Sequence, residues 1–324
     1  MPELPEVEYT ARQMRTSIVG ATISEALVFW ERVIGYPGLS EFLAEIAGLR
    51  VEGVRRRGKF LLLDLGGGNA EGLADEGHGN CPYVLTMHRR MTGNLLLLPP
   101  GWEIDTSARE SDPGAWSTRG PVFKHAESAG EREEVMEHVP AQPWYCRVCL
   151  NFTDGRRLLF NDLRKFGRLE LWPREQEAEA LAGLGPEPLG SEFTATRLQE
   201  ILAGRKRAIK QVLLEQEVVA GLGNIYADES LFYAAIHPLR PANSLTGAEV
   251  KLLHEGIVAV LLLGIEHGGT SFSNYRSLWG EAGDNYNHVR VYQQDGRPCT
   301  RCGTIIERIV VAQRGTHFCP SCQR

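Results

Sequence analysis

The sequence has no apolar run near the ~18 residues a membrane span needs. Its longest, Ile257 to Ile265, fits one buried helix. The chain start is acidic and lacks the apolar core of a signal peptide, so a cytoplasmic protein is expected. An excess of positive charge is missing too: 35 Lys and Arg against 41 Asp and Glu leave −6 at pH 7. Taken as uniform, that balance argues against a nucleic-acid partner. Disorder is excluded over most of the chain, because 43% of it is hydrophobic.

The charge is not uniform. Residues 103–139 carry nine acids against four bases, and residues 66–80 carry three acids and no base. Without these two stretches the rest carries +2. Basic clusters then stand out at 55–59 (Arg-Arg-Arg-Gly-Lys), at 205–207 (Arg-Lys-Arg) and in the tail. Residues 290–324 hold six Arg against Asp295 and Glu307. A local field of this kind, more than the total, attracts phosphate. Any one cluster taken singly reads better as a solvated face.

Residues 2–19 read as a helix, with Val7, Ala11, Met14 and Ile18 at helical spacing and Gly20 ending it. Short apolar runs follow at 24–30, 59–65, 83–87, 94–98, 145–152, 157–161 and 168–172. Asp154-Gly155 is a hairpin turn between two of them. These spacings predict an α+β multidomain chain whose first part, 1–172, is an N-terminal helix plus a β-sandwich. The acidic stretches near 66–80 and 99–143 read as surface insertions. Residues 173–193 read as a linker ending in Leu-Gly-Pro-Glu-Pro-Leu-Gly at 184–190. Helical patterns occupy 194–289. There Gly221-Leu222-Gly223-Asn224 forms a tight turn whose N–H groups suit an anion, and Thr246 with Glu249 forms a capping box.

Residues 290–324 form a separate small unit. Cys299-x2-Cys302-x16-Cys319-x2-Cys322 places two knuckles at zinc-ribbon spacing. Some 35 residues bury too little to fold unaided, so one Zn2+ is expected to supply the stability. Four cysteines close the coordination sphere, which makes the ion structural. Cys146 and Cys149, three apart in a strand pattern, should face opposite ways. With Cys81 they read as packing residues.

The chain start carries the reactive possibility. If Met1 is removed, Pro2 becomes a terminal secondary amine with a pKa of roughly 8, partly neutral at physiological pH. Attack on a sugar carbon then gives an iminium, which is an electron sink for elimination. Glu3 stands beside it to move a proton. The bland alternative is that Pro2 and Pro5 shape a helix start while Glu3 and Glu6 oppose its positive end.

Pro-Glu-Leu-Pro-Glu-Val-Glu at 2–8, the 55–59 cluster, Asn-Asp-Leu-Arg-Lys-Phe-Gly-Arg at 161–168, residues 218–232 and 236–240 and the four-cysteine tail occur in this order. Together they resemble the formamidopyrimidine-DNA glycosylases, also called Fpg or MutM proteins. The resemblance spans the chain except the acidic insertions. It implies a helix-two-turn-helix domain over 194–289, with 268–289 capping an extruded base, and an Fpg-type zinc finger over 290–324. It implies a DNA-formamidopyrimidine glycosylase with DNA-(apurinic or apyrimidinic site) lyase activity. The substrates would be oxidised purines, 8-oxoguanine and formamidopyrimidines, in damaged double-stranded DNA, with no membrane and a monomeric chain.

By the same resemblance Pro2 is the Schiff-base nucleophile and Glu3 its proton carrier. Lys59 assists β-elimination, and Arg314 is tied to δ-elimination. Met91, Arg164 and Phe166 fill the vacated stack. His88, Lys165, Arg205, Lys210 and Asn224 meet backbone phosphates. The chain departs from the family pattern at Leu163, where proline is usual, at Lys165, where a second arginine is common, and near Trp144-Tyr145, where a histidine is replaced. Two other readings fit parts of the pattern. One is an endonuclease VIII-like enzyme for oxidised pyrimidines; the other is a zinc-finger damage binder that does not cut.

Overall fold

The computed structural model describes residues 1–67, 81–105, 121–125, 145–272 and 275–324. Most of the two acidic stretches lies outside the described residues. The chain divides into two compact units. The first comprises Met1–Pro2, Glu6–Leu181 and Ser271–Gly283; the second comprises Glu3–Pro5, Ala182–Thr270 and Asp284–Arg324.

The first unit contains most of helix α1 (Leu4–Ser17) and helix α2 (Leu39–Ile46). Its strands are β1 (Ile23–Val28), β2 (Ile34–Tyr36), β3 (Arg50–Arg57), β4 (Phe60–Gly66), β5 (Tyr83–His88) and β6 (Gly93–Leu98). They continue with β7 (Trp102–Asp105), β8 (Val122–His125), β9 (Cys146–Phe152), β10 (Arg157–Asp162) and β11 (Arg168–Pro173). One sheet has the order β1-β9-β10-β6 and a second β2-β11-β5-β4-β3, while β7 pairs with β8. Alternate residues of both larger sheets enter one core: Leu61, Leu63 and Leu65 from β4, Leu95 and Leu97 from β6, Val148, Leu150 and Phe152 from β9. The α1 stripe of Val7, Ala11 and Met14 joins them with Ile18 just past the helix end, each at most 1% exposed. This is the expected sandwich with its helix. The helix itself is shorter than 2–19, because Pro2 and Glu3 stay outside the helical hydrogen-bonding.

One alternation breaks. Phe160 of β10 lies opposite Val148, yet Asn161 lies opposite Cys146, so Arg147 is an extra residue. The bulge resets the period of two. Cys146 and Cys149 therefore share one outer cluster with Leu96, Leu98, Trp102 and Leu159, contrary to the expectation of opposite faces. Burial pushes both thiols up, Cys149 to about 12. Helix α3 (Glu177–Ala180) ends this unit. Its Glu177 holds Arg55 at 2.8 Å.

The second unit is helical, with α4 (Ala195–Ala203), α5 (Ile209–Leu213), α6 (Asn224–Tyr233) and α7 (Gly247–Glu266). Thr194 caps α4 through the Arg197 N–H at 3.1 Å. The capping box of α7 is present, Thr246 and Glu249 each accepting from the other's backbone. Residues Ile225 to Phe232 of α6 are buried on every face, Asp228 and Glu229 included. Strands β12 (Glu307–Val311) and β13 (Arg314–Phe318) make the terminal hairpin. Its tip is Ala312-Gln313, both at positive φ (47° and 61°). That is the pattern of a type I′ turn made without glycine. Gly315 sits inside the strand opposite Val310. No helix among the described residues is long and apolar enough to cross a membrane.

Candidate active site and metal centre

Pro2 is buried and Glu3 is 3% exposed. The Glu3 carboxylate accepts from the Ile225 N–H at 3.0 Å and the Tyr226 N–H at 3.4 Å, both in the first turn of α6. A carboxylate there meets unpaired donors and the positive end of the helix dipole. Gly223 makes the approach feasible, since a Cβ at that residue would lie 2.3 Å from the Glu3 carboxyl carbon. The Leu4 N–H donates to the Gly221 carbonyl at 3.0 Å. An anion does sit at this corner, the chain's own Glu3, but its donors are Ile225 and Tyr226, the two residues that follow the Gly221–Asn224 turn. Gln216, which sequence reasoning missed, secures this turn by accepting from Gly221 N–H and donating to Leu222 O.

Lys59 ends the β3–β4 hairpin. Gly58 takes φ 56°, as a two-residue turn requires of its first residue, and Lys59 is only 5% exposed. Phe60 lies opposite His88 in register, and their rings meet edge to face at 4.6 Å. The His88 Nδ1 accepts from the Arg90 N–H at 3.0 Å, which leaves the proton of the neutral ring on Nε2. Burial, then the charges of Arg90, Lys59 and Arg89, pull His88 down to about 3. Much of the 55–59 cluster is used internally. Arg55 pairs with Asp64 at 2.6 Å, and Arg56 pairs with Glu8 at 3.0 Å.

Met91 lies on loop 89–92 and Arg164 and Phe166 on loop 162–167, and the two loops share one anchor. The buried Asp162 carboxylate accepts from the Thr92 hydroxyl, from Arg164 N–H at 3.2 Å and from Gly167 N–H at 2.7 Å. The Arg164 N–H also reaches the Thr92 oxygen at 3.0 Å. Phe166 is 49% exposed, with the Arg164 guanidinium 4.8 Å from its ring centre. Asp162 and Thr92 were not anticipated; an Asp directly before a turn was the available signal. Lys165 takes φ 60°, and its ammonium lies 3.9 Å from the Trp30 ring centre.

In the second unit the strand carrying Arg314 is pinned from behind. The Gly315 carbonyl accepts from both Lys210 Nζ at 3.1 Å and Asn224 Nδ2 at 3.0 Å. Lys210 also donates to Thr316 Oγ1 at 2.7 Å and pairs with Asp228 at 2.6 Å. It is fully buried, with its ammonium engaged by this ion pair and these hydrogen bonds. The other Asp228 oxygen accepts from the His317 N–H at 2.9 Å. Glu229 accepts from the N–H groups of Arg290, Val291 and Tyr292 at 2.8, 2.9 and 2.8 Å, fixing the entry to the terminal unit. Two adjacent acids in a helix apolar all round were the readable signal for this role. Arg314 itself is exposed. Arg205 is half-buried, 3.2 Å from Glu215, while its neighbour Lys206 is exposed.

The four tail cysteines converge. Their sulfurs lie within 4.8 Å of one another, with Cys299–Cys322 at 4.0 Å and Cys302–Cys319 at 3.5 Å. Sulfurs about 2.3 Å from a tetrahedral zinc sit about 3.8 Å apart, so the spacing fits. The Arg301 N–H points at Cys299 Sγ and the Cys322 N–H at Cys319 Sγ, both at 3.4 Å. Such donors suit thiolates bound to metal. The cysteines form the site of one structural zinc.

Three family comparisons agree with this geometry. Residues 1–169 match the formamidopyrimidine-DNA glycosylase N-terminal domain, 184–276 the formamidopyrimidine-DNA glycosylase H2TH domain, and 296–324 the zinc finger found in FPG and IleRS. A formamidopyrimidine-DNA glycosylase of Roseiflexus sp. is 40% identical, with all of both chains covered. One of Enterococcus faecalis is 38% identical over all of this chain and 98% of its own. Among solved structures, a Lactococcus lactis FPG mutant in complex with a Fapy-dG-containing DNA is 32% identical, with TM-score 0.78 and full coverage of both chains. The Lactococcus lactis Fpg complex with abasic-site DNA is 31% identical, with TM-score 0.77 and 99% of each chain covered. The chain belongs to the formamidopyrimidine-DNA glycosylase family.

Proposed function

We propose that this chain is a bifunctional DNA glycosylase and AP lyase that removes oxidised purines from duplex DNA, acting as a monomer in the cytoplasm. The observation that carries the reading is the Pro2-Glu3 pair, with the Glu3 carboxylate fixed by two helix N–H groups directly beside the candidate nucleophile. Family membership supplies the substrate class. Seven unpaired cysteines suit a reducing compartment.

Once Met1 is removed, the Pro2 nitrogen attacks C1′ of the damaged nucleotide, and the base leaves with the glycosidic electron pair and a proton. Glu3 carries a proton as the sugar ring opens to the iminium. β-Elimination then breaks the C3′–O bond with Lys59 assisting, and δ-elimination breaks the C5′–O bond with Arg314 at the phosphates. Met91, Arg164 and Phe166, on two loops joined through Asp162, occupy the space left by the flipped base. Lys165, Arg205, Asn224 and His88 face backbone phosphates, whereas Lys210 positions the Arg314 strand. The working division is a catalytic domain over 1–172, a linker over 173–193, a DNA-binding domain over 194–289 with 268–289 capping the base, and a finger over 290–324.

Borohydride reduction on duplexes carrying 8-oxoguanine or a formamidopyrimidine tests this. The expected result is a covalent protein–DNA adduct at Pro2, from a chain whose intact mass lacks Met1. Pro2→Gly, which leaves a primary amine, should give a weaker yield. Strand cleavage with Met1 retained would overturn the mechanism, and binding with no adduct would leave a damage-recognition protein. A panel preference for oxidised pyrimidines would move the substrate to the endonuclease VIII type.

A further inference from the structure

Helix α7 ends at His267, whose carbonyl accepts the Asp284 N–H at 2.8 Å. Asp284 opens a single 3-10 turn, Asn285–Asn287, and His288 closes it. Three side chains converge where these two backbones meet. The rings of His267 and His288 stack with centroids 3.5 Å apart, and His288 Nε2 lies 3.6 Å from the Asp284 carboxylate. One ligand atom from each of the three residues falls within 4.8 Å of the other two.

A stacked histidine pair by itself is ordinary packing. The carboxylate brought to the same point makes it a donor set of two imidazoles and one oxygen. That set matches borderline transition ions such as Zn2+, Ni2+ and Cu2+; Mg2+ and Ca2+ prefer oxygen throughout. Ligand atoms about 2.1 Å from a tetrahedral ion lie roughly 3.4 Å apart, close to the His288–Asp284 separation. The parallel rings must turn for both lone pairs to converge, and rotation about the last histidine torsion is broad and cheap. An entry path exists, since the side chains of His288 and Asp284 are 36% and 60% exposed. Asp284 and His288 lie in the segment proposed to cap the base, but none of the three residues carries a step of the proposed glycosylase chemistry.

We propose that His267, Asp284 and His288 form a second divalent-metal site, selective for borderline ions, that ties the end of α7 to the 3-10 turn across the neck of the intervening segment. The ion adds to the zinc of the four cysteines and leaves coordination positions for water. Binding to the folded chain alone raises its stability by mass action.

The test uses the full chain with its cysteine site zinc-loaded, and Ni2+ as the probe. Metal analysis after gel filtration should give one Ni2+ per chain beside one retained zinc, and Ni2+ should raise the melting temperature. His267→Ala should lose both effects. His288→Gln, a surface change that keeps a polar side chain, should lose them too and guards against misfolding of the first variant. Asp284→Asn should weaken Ni2+ binding, and Mg2+ should produce no melting shift. Absence of Ni2+ from the wild-type chain, or an undiminished Ni2+ equivalent in both histidine variants, would overturn the proposal. Neither result bears on the Pro2 adduct.

Discussion

His88 is held as a neutral imidazole between a phenylalanine ring, a backbone N–H and three nearby cations. Its folded pKa of about 3 lies below the ordinary 6.5. The unfolded chain therefore binds a proton on this ring that the folded chain refuses. The stabilisation is complete above pH 6.5 and drains away as the pH falls towards 3. Urea unfolding between pH 7 and pH 5 should show stability declining, and His88→Gln should flatten that part of the slope. An unchanged slope in the variant would place the neutral ring's proton balance elsewhere. The same burial explains why sequence reasoning could name His88 but not its state: a lone histidine carries no sign of its Arg90 contact or of Phe60 across the strand pair.

Among the elements, α6 does the most work for the site in the second unit. Its first turn holds Glu3, its middle holds the Lys210–Asp228 pair, and its Glu229 collects three successive N–H groups. Lys210→Met should leave the buried Asp228 without its counter-ion, held only by His317, at a cost of about 3–5 kcal/mol. Adding Asp228→Asn should recover a large part of it, as denaturant unfolding of the single and double variants would show. The strands were readable because their apolar runs are short and punctuated: the expected runs at 59–65 and 168–172 are β4 and β11 to within a residue. Strand β3 was hidden because Arg55, Arg56 and Arg57 read as a charge cluster, although Val51 and Val54 face the core. The bulge at Arg147 was illegible, since no glycine or other residue marks its geometry. In the site, the four cysteines could be read from spacing, whereas the chain start was singled out only by the family resemblance. Asp162, Thr92 and Gln216 act through backbone contacts set only by the fold.

For the molecule as a whole, the zinc stabilises a tail whose apolar cluster is small: Val291, Cys299, Ile306 and Cys319, with Phe232 of α6. Chelation should unfold residues 290–324 and, with them, release the Arg314 strand, while the sandwich core stays folded. Circular dichroism and a DNA-binding assay before and after zinc removal would show lost affinity with most β signal retained. Simultaneous collapse of the sandwich would mean that the finger stabilises far more than itself.

The bulge at Arg147 has a practical corollary for anyone who wishes to watch the protein at work. Cys146 and Cys149 are sealed together under leucines and Trp102, and the tail thiolates are committed to metal. Of the seven sulfurs, Cys81 alone is partly open and lies outside both groups, with Arg174 beside it. A maleimide dye added to the zinc-loaded chain should therefore attach once, giving a single fluorescent reporter without removing any native cysteine.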